Sequence, residues 1–403
     1  NGSQNADKGT EEDVTKILVE CPEMIASVRV GVLDPLAPLE KEGLLSIRFC
    51  RTADLKKQDV AWCDVYICVR GFEYVNCVLA RMVKASGRFL VYFLDDDLGD
   101  MPANIPSAKF AHASDAKSHI KEILAQADVL WVVNELLAQK YSTWCKRVLL
   151  ARVPARVEPI EEARFEETPL RVLYAGSTDH KEMVCSQLSP AIRQLSQAFP
   201  NHFSFTFIGA DPQLPDLPNV RHIKFLDSYE AYQSTVREGR FAVGLAPLQD
   251  GFFYRCKYYN KFIEYTSRGI AGIYANQQPY TTVVKDGETG YLCGATPQAW
   301  ELALQRCWAD RGALRQCING AQALLQQEFS EEAVGVLLKA QMPELLDYRA
   351  TGKTVHWPLV PIKALYYWNR IRYNFYCFGV GAIFVLMSKA IRKIWRTLCR
   401  LSQ

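Results

Sequence analysis

Short apolar runs alternate with longer amphipathic stretches along most of the chain. Each run is too short for a helix and is rich in Val, Ile or aromatic residues, which is typical of buried strands. In the first half of the chain these runs are 28–33, 64–69, 89–94 and 128–133. Amphipathic stretches such as 74–85 and 118–127 lie between them. Alternating strands and helices predict a parallel sheet with helices on both faces.

The alternation restarts after residues 155–169, a charged segment with two prolines that we interpret as a linker. The predicted strands beyond it are 171–175, 203–208, 221–225, 241–246 and 270–274. The predicted helices are 189–198, 229–237, 258–268, 297–309 and 330–348. The chain is therefore predicted to be an α/β protein with two doubly wound, Rossmann-like domains. Ligands are expected at the carboxyl ends of the strands, in the cleft between the domains.

Four regions follow from this pattern. They are an N-terminal tail at 1–27, a first domain at 28–160, a second domain at 161–350 and a tail at 351–403.

Charge is distributed unevenly over these regions. The last region holds nine of the 47 Lys and Arg residues and no acid, so the remaining 38 are outnumbered by 44 Asp and Glu. An acidic body argues against a nucleic-acid-binding protein, because phosphate neutralisation supplies most of that affinity. The 13 cysteines include no CxxC pair, which indicates reduced thiols and disfavours a zinc site.

The basic tail also contains an uncharged stretch, residues 373–388, with basic residues on both sides. It is shorter than the ~20 apolar residues that a spanning helix needs. We therefore expect an interfacial or re-entrant anchor, with membrane contact through 363–403. A short span and a buried interface helix remain alternatives.

The segment with the most chemistry runs from residue 241 to residue 292. Lys257, Lys261 and Glu264 are spaced as on one face of the predicted helix, with Arg255 beside its amino end. Basic side chains at that end oppose the helix dipole unless an anion is bound there. The spacing thus indicates a diphosphate site. The alternative is a solvated basic face with a Lys261–Glu264 ion pair.

Residues 253–269 follow the pattern F-x-R-x-K-x-x-x-K-F-x-E-Y-x-x-x-G. This pattern resembles the donor-site segment of glycosyltransferase family four, which has the GT-B fold, and in particular its branch that assembles bacterial surface polysaccharides. The resemblance implies that Glu264 holds the nucleotide ribose. It also implies that Arg255 and Lys257 hold the diphosphate and act in catalysis, with Lys261 in the donor site. Many members have an acidic residue where this chain has Cys256.

Four further segments carry the resemblance. One of them, 290–292 after 286–287, resembles the hairpin behind the donor site, and the other three imply donor-binding residues. The glycine-turn loop 174–181 would contribute side chains towards phosphate or sugar, and the strand and turn 207–211 would lie beside the base. The segment 279–282 would place backbone amides on the phosphate. The residues implied are Gly176, Ser177, His180, Lys181, Gly209, Tyr280, Thr281 and Thr282.

In the first domain an acidic run, Asp95, Asp96 and Asp97, follows a predicted strand. Carboxylates at the end of a strand facing a cleft are suited to bind acceptor hydroxyls or to act as a base, and we take Asp96 as the catalytic candidate. Arg70, at the end of another predicted strand, is a second acceptor-side candidate. A solvated turn that caps a helix is the alternative.

These observations predict a glycosyltransferase that moves a sugar from a nucleotide diphosphate to a glycan acceptor. The resemblance implies a retaining outcome and a role in cell-surface polysaccharide assembly. The expected partners are a nucleotide sugar, a lipid-linked acceptor and a membrane, with no nucleic acid, metal or other cofactor. The expected location is the cytoplasmic face of the inner membrane, with peripheral or monotopic attachment. The alternatives are a sugar-nucleotide epimerase of the same fold and a non-catalytic scaffold partner, which Cys256 modestly favours.

Overall fold

Runs of buried Val, Ile, Leu and aromatic residues build one parallel sheet in each of two units. The computed structural model describes residues 14–105, 108–224, 226, 228–352 and 354–383. The first unit comprises the chain up to Val153 and from Gly335 onwards, and the second is Pro154–Val334.

The first sheet has six parallel strands in the order β2-β1-β3-β4-β5-β6. They are β1 Thr15–Cys21, β2 Leu45–Arg51, β3 Val65–Val69, β4 Phe89–Leu94, β5 Val129–Val132 and β6 Val148–Leu150. The flanking helices are α1 Ala26–Val28, α2 Asp34–Lys41, α3 Lys57–Trp62, α4 Tyr74–Ala85, α5 Ala108–Ala113, α6 Ala116–Gln126 and α7 Glu135–Tyr141. Every residue of β3, β4 and β5 is buried, as expected for central strands covered on both faces.

The second sheet is also parallel, in the order β12-β11-β10-β7-β8-β9. Its strands are β7 Leu170–Gly176, β8 Phe203–Gly209, β9 Val220–Ile223, β10 Val243–Ala246, β11 Ala271–Ala275 and β12 Tyr291–Cys293. Its helices are α8 Lys181–Met183, α9 Ser189–Ala198, α10 Tyr229–Glu238, α11 Phe252–Arg255, α12 Asn260–Ser267, α13 Pro297–Ala309 and α14 Arg311–Glu328. This is the strand order of a Rossmann fold, in which the order reverses between β7 and β10.

Three more helices follow in the described part of the chain: α15 Glu331–Gln341, α16 Glu344–Asp347 and α17 Ile362–Phe378. The chain passes from the second unit back into the first within α15. Among the described residues, no helix is long and apolar enough to cross a bilayer. The part of the predicted membrane stretch beyond 383, like the first thirteen residues, lies outside the described residues.

The predicted strand at 28–33 is wrong, because these residues are helical. They span the end of α1 and a π-helix, Arg29–Leu33, that leads into α2. Val28, Val32, Leu36 and Leu39 are buried at helical spacing, which overrides the local alternation of valines. Gly31 lets this helix approach β4, since a Cβ atom there would lie 2.4 Å from Cζ of Phe93.

The first sheet begins earlier than predicted. β1 lies inside the predicted tail 1–27 and pairs with β2, which the sequence pattern also missed. The predicted helix 330–348 is two helices, α15 and α16, interrupted at Met342 and Pro343. Every cysteine in the described ranges is free, as predicted for reduced thiols.

Candidate functional site

The loops that leave the second sheet at its carboxyl edge bring the predicted donor-side residues together. The loop after β7 carries Gly176 to Lys181, and the connection after β10 leads through α11 to α12. These two strands flank the point where the strand order reverses, which is where doubly wound sheets bind ligands.

Glu264 on α12 is the centre of this cluster. Lys261 donates to its carboxylate across one helical turn (Nζ–Oε2 2.7 Å), and the hydroxyl of Tyr232 on α10 donates to the other oxygen. Burial by itself would raise the pKa of Glu264. The charge and hydrogen bond of Lys261 and the hydrogen bond of Tyr232 together have the larger, opposite effect, so the pKa of Glu264 lies below its ordinary value. The carboxylate is therefore ionised at neutral pH, although its side chain is only 17% exposed.

His180 lies near the same basic side chains. Its Nδ1 is 3.2 Å from the hydroxyl of Tyr174, a residue near the end of β7. Burial, together with the charges of Lys257 and Lys261, holds the pKa of His180 below its usual value. The imidazole is thus neutral at pH 7. Two ammonium groups from the α11–α12 connection and α12 therefore act on the loop after β7.

Gly176 permits this approach. A Cβ atom at Gly176 would lie 2.4 Å from the Tyr174 hydroxyl and 2.9 Å from Nδ1 of His180. Ser177 caps the following 3₁₀ turn by accepting from the amide of Asp179, and Lys181 begins α8 with an exposed side chain.

The helix that carries Glu264 is shorter than predicted. The predicted helix 258–268 begins at Asn260, so Lys257 lies in the connection between α11 and α12 and not on the α12 face. Tyr259 interrupts the helix because its ring packs on Phe329 while its backbone is non-helical (ψ 45°). Arg255 is exposed in the last turn of α11, where a cation does not oppose the dipole. The first turn of α12 therefore contains one basic residue, Lys261.

The remaining predicted donor residues lie at the end of β8 and in the loop after β11. Gly209 ends β8 with φ 91°, and its carbonyl lies 3.1 Å from Nε2 of His222. Tyr280 is buried close to Glu264, and burial together with this negative charge raises its pKa. The amides of Tyr280, Thr281 and Thr282 donate to the carbonyls of Gln277 and Pro279. The hydrogen bonds of these amides in this structure therefore lie within their own turn.

At the carboxyl edge of the first sheet, Arg70 binds two of the predicted carboxylates. Its guanidinium lies 3.0 Å from Asp95 and 3.1 Å from Asp96, and it donates to the Ser27 hydroxyl at 2.8 Å. Arg70 directly follows β3 and has φ 56°, a left-handed conformation that is unusual for a non-glycine residue. Burial and the charge of Asp96 raise the pKa of Asp95 against the opposing effect of Arg70. An acceptor-side cluster of Arg70, Asp95 and Asp96 is thus assembled as a unit.

Asp97 faces a different environment from its two neighbours. Its side chain is 1% exposed and accepts from Nζ of Lys140 at 2.6 and 2.7 Å and from the Tyr141 hydroxyl at 2.6 Å. Lys140 also binds the half-exposed Asp100. This arrangement attaches the loop after β4 to α7, which favours a structural role for Asp97 over the predicted contact with acceptor.

Sequence reasoning missed several partners in both clusters. Tyr232 and Ser27 carry no local motif, and only the tertiary fold places them beside Glu264 and Arg70. Glu20, near the end of β1, was missed with its strand. It is fully buried beside Thr52, and burial raises its pKa to about 7. Within the described residues no group of three or more metal-ligating side chains is placed to hold an ion.

Comparison with known proteins identifies the fold. No protein-family model and no curated protein sequence matches the chain. Among solved structures, HepE from Anabaena in complex with UDP and glucose is 12% identical with a TM-score of 0.60, over 82% of this chain and 100% of that chain. Sucrose-phosphate synthase from Thermosynechococcus elongatus is 15% identical (TM-score 0.58, 82% and 99%). The lipopolysaccharide outer core galactosyltransferase WaaB in its apo form is 12% identical (TM-score 0.53, 82% and 99%). The chain thus consists of two Rossmann-like domains of the GT-B type.

The basic cluster makes a prediction about His180. Substituting Lys257→Gln or Lys261→Gln should raise the pKa of His180, because each removes a positive charge that disfavours the imidazolium. An NMR titration of the His180 ring, assigned with a His180→Gln variant, measures the change. Lys285→Gln removes the same charge from an exposed position of the same unit and should leave the titration unchanged. A pKa that does not respond to either of the first two variants would disprove the clustering.

The contacts of Asp97 predict a stability effect. Asp97→Asn should destabilise the protein by at least about 2 kcal/mol, because a buried charge-assisted network loses its acceptor. Asp100→Asn is the matched control, since Asp100 shares Lys140 but is 46% exposed, and should cost about 1 kcal/mol or less. Urea unfolding followed by circular dichroism compares the two. Equal stability of Asp97→Asn and the wild type would return Asp97 to the acceptor-side candidates.

Proposed function

We propose that this chain is a nucleotide-sugar-dependent glycosyltransferase that transfers a sugar to a lipid-linked glycan acceptor. The observation that carries this proposal is the ionised Glu264 paired with Lys261, a lysine that together with Lys257 also acts on His180, at the switch point of a GT-B-type second domain. A carboxylate suits the paired hydroxyls of a ribose, and ammonium groups suit a diphosphate. HepE, which shares the fold, has been solved with UDP and with UDP-glucose, and this favours a uridine nucleotide as the donor.

The proposed chemistry depends on charge that develops on the leaving diphosphate. Lys257 and Lys261, with Arg255 nearby on α11, would stabilise that charge as the bond to the sugar breaks. Preorganised positive groups aimed at developing charge commonly lower the activation barrier more than any other single effect in an enzyme. The neutral His180 would donate a hydrogen bond without adding a further full charge. This electrostatic role requires no metal ion.

The acceptor side of the proposed reaction lies in the first unit. Arg70 orients Asp95 and Asp96, and the raised pKa of Asp95 brings it closer to the range useful for taking a proton from an acceptor hydroxyl. We retain the proposals of glycosyltransferase family four, a retaining outcome and a role in surface-polysaccharide assembly at the cytoplasmic face of the inner membrane. The resemblance of residues 253–269 supports them.

A single incubation separates this proposal from its alternatives. The protein is mixed with UDP-sugars in the absence of acceptor, and the nucleotides are separated by chromatography. A glycosyltransferase releases UDP slowly by hydrolysis. An epimerase instead yields an epimeric UDP-sugar with its diphosphate intact, and a scaffold leaves the donor unchanged. Either of the last two results would contradict the proposal.

The donor site makes a quantitative prediction for Glu264. Glu264→Gln should weaken UDP binding by about tenfold or more, because an ionised acceptor is exchanged for a neutral amide of the same shape. Isothermal titration calorimetry measures the affinity. Glu238→Gln is the control, since Glu238 is an exposed carboxylate on α10, the helix that carries Tyr232. If the Glu264→Gln variant is folded and binds UDP normally, Glu264 does not hold the nucleotide.

The acceptor side makes a different prediction. Asp95→Asn and Asp96→Asn should each lower sugar transfer by about 10²-fold or more, because the carboxylates proposed to take the acceptor proton and to bind the acceptor are lost. UDP affinity should stay unchanged, because both residues belong to the unit without the donor cluster. Transfer of radiolabelled sugar from a UDP-sugar into a bacterial lipid extract measures the first effect, and calorimetry the second. Asp100→Asn controls for loss of a nearby surface carboxylate. Normal transfer by both variants would assign Arg70, Asp95 and Asp96 to structure alone.

A further inference from the structure

The last described helix, α17, buries Ile362 and Tyr366 but leaves most of its large apolar side chains exposed, while several of its polar groups face the protein. Asn369, Arg370 and Asn374 face inward, and Asn374 is 4% exposed. The outward side carries large apolar residues, which we call the outer aromatic face: Tyr367, Trp368, Ile371, Phe375 and Tyr376. A surface helix in water normally buries its aromatics and exposes its amides and charges. The environment outside α17 is therefore expected to be apolar.

The inward contacts hold α17 in this orientation. Arg370 donates to the buried carboxylate of Glu73 at 3.1 Å, and its guanidinium lies over the rings of Phe110 and Tyr366. The ring of Tyr373 packs edge-on against Phe110, with centroids 4.3 Å apart. An ion pair and aromatic contacts on one side thus fix which residues point to the other side. Rotation of α17 would leave Glu73 buried without its partner, which is costly.

The outer aromatic face is extensive and strongly exposed. Trp368 is 64% exposed and Tyr376 is 78% exposed. Further exposed apolar residues flank the helix at both ends: Leu359, Val360, Phe378, Val380 and Ile383. A contiguous apolar patch of this kind marks a contact surface and not an ordinary scatter of exposed side chains.

The basic charge around the outer aromatic face favours an anionic lipid surface as its partner. Lys363 and Arg372 are exposed on α17, and the sequence from 351 to 403 contains nine basic residues and no acid. Trp and Tyr are the aromatic residues that favour the headgroup layer of a bilayer, and basic residues are attracted to anionic lipids. An aromatic face with a wholly basic surrounding sequence is the signature of an interfacial helix.

The contacts of α17 place it at one edge of the first sheet. The helix packs on the 3₁₀ turn Thr52–Asp54, which follows β2, on α4, which follows β3, and on α5, which follows β4. Arg70, Asp95 and Asp96 also directly follow β3 and β4. The helix and the acceptor-side cluster therefore share the carboxyl edge of the first sheet.

We propose that the outer aromatic face of α17 inserts into the headgroup layer of an anionic bilayer and holds the carboxyl edge of the first sheet against it. A membrane at this edge would present the head group of a lipid-linked substrate close to Arg70, Asp95 and Asp96. This consequence rests on the proposed glycosyltransferase function. The membrane contact itself does not.

Co-sedimentation of the full chain with vesicles tests the contact. Vesicles of phosphatidylglycerol and phosphatidylethanolamine in equal parts should bind the protein, and phosphatidylcholine vesicles should bind it less. The double variant Trp368→Ser, Tyr376→Ser should lower partitioning into the anionic vesicles by about tenfold or more, because two large apolar side chains no longer become buried. High salt should weaken wild-type binding, since the basic residues are screened.

The control removes apolar side chains of equal exposure elsewhere. Leu302 and Val336 are 65% and 67% exposed on α13 and α15, and the double variant Leu302→Ser, Val336→Ser should sediment with vesicles like the wild type. Both double variants should keep the wild-type thermal unfolding and UDP affinity, because the substituted residues are exposed and lie outside both clusters. Failure of UDP binding in the wild type would remove the proposed function and leave the membrane result standing.

Two results would overturn the proposal. One is unchanged vesicle binding by the Trp368→Ser, Tyr376→Ser variant. The other is a wild-type dimer in sedimentation velocity that this variant dissociates, with no vesicle binding by either form. The second result would assign the outer aromatic face to contact with another copy of the chain.

Discussion

The parallel direction of every strand is the constraint on which both candidate clusters depend. Parallel pairing places all six carboxyl ends of a sheet at one edge, so loops that are distant in sequence leave the fold side by side. In the second unit this brings His180, after β7, close to Lys257, after β10. In the first unit it brings Arg70, after β3, to Asp95, after β4. The backbone thus decides where chemistry is concentrated, and the loop residues decide which chemistry it is.

Burial and neighbouring charges shift the carboxyl pKa in opposite directions in the two clusters. Burial disfavours ionisation of a carboxyl group, and an adjacent cation or hydroxyl donor offsets that effect. Lys261 and Tyr232 more than offset it at Glu264, whose pKa falls, whereas Arg70 is shared between two carboxylates and the pKa of Asp95 remains raised. The second unit therefore holds a fixed anion beside fixed cations, which suits binding. The first unit holds a carboxyl group closer to proton exchange.

Sequence patterns predicted the fold wherever local period and tertiary burial agree. The helix at 74–85 and the strand at 89–94 have the predicted bounds, because each periodicity is uninterrupted. The pattern failed at 28–33, where alternating valines resemble a strand but are buried at helical spacing. It also placed the start of α12 too early, since the packing of Tyr259 on Phe329 is a long-range contact. The charged residues of both clusters lie in sequence motifs and could therefore be predicted. Their partners Tyr232 and Ser27 lie in no such motif.

Composition predicts a membrane contact for residues 363–403, but it does not indicate which side of a helix in that range would face outward. Hydropathy averages over a helix and is insensitive to orientation, so it does not distinguish the exposed Trp368 from the buried Tyr366. Orientation is set by Glu73, a buried carboxylate at the amino end of α4 that requires a cation from α17. Once Arg370 meets that requirement, Asn374 one turn later also faces inward, and Trp368, Ile371 and Phe375 on the other side of the helix face outward. An ion pair between the buried Glu73 and Arg370 therefore gives this basic, aromatic sequence one defined outward side, at the edge of the sheet where Arg70, Asp95 and Asp96 lie.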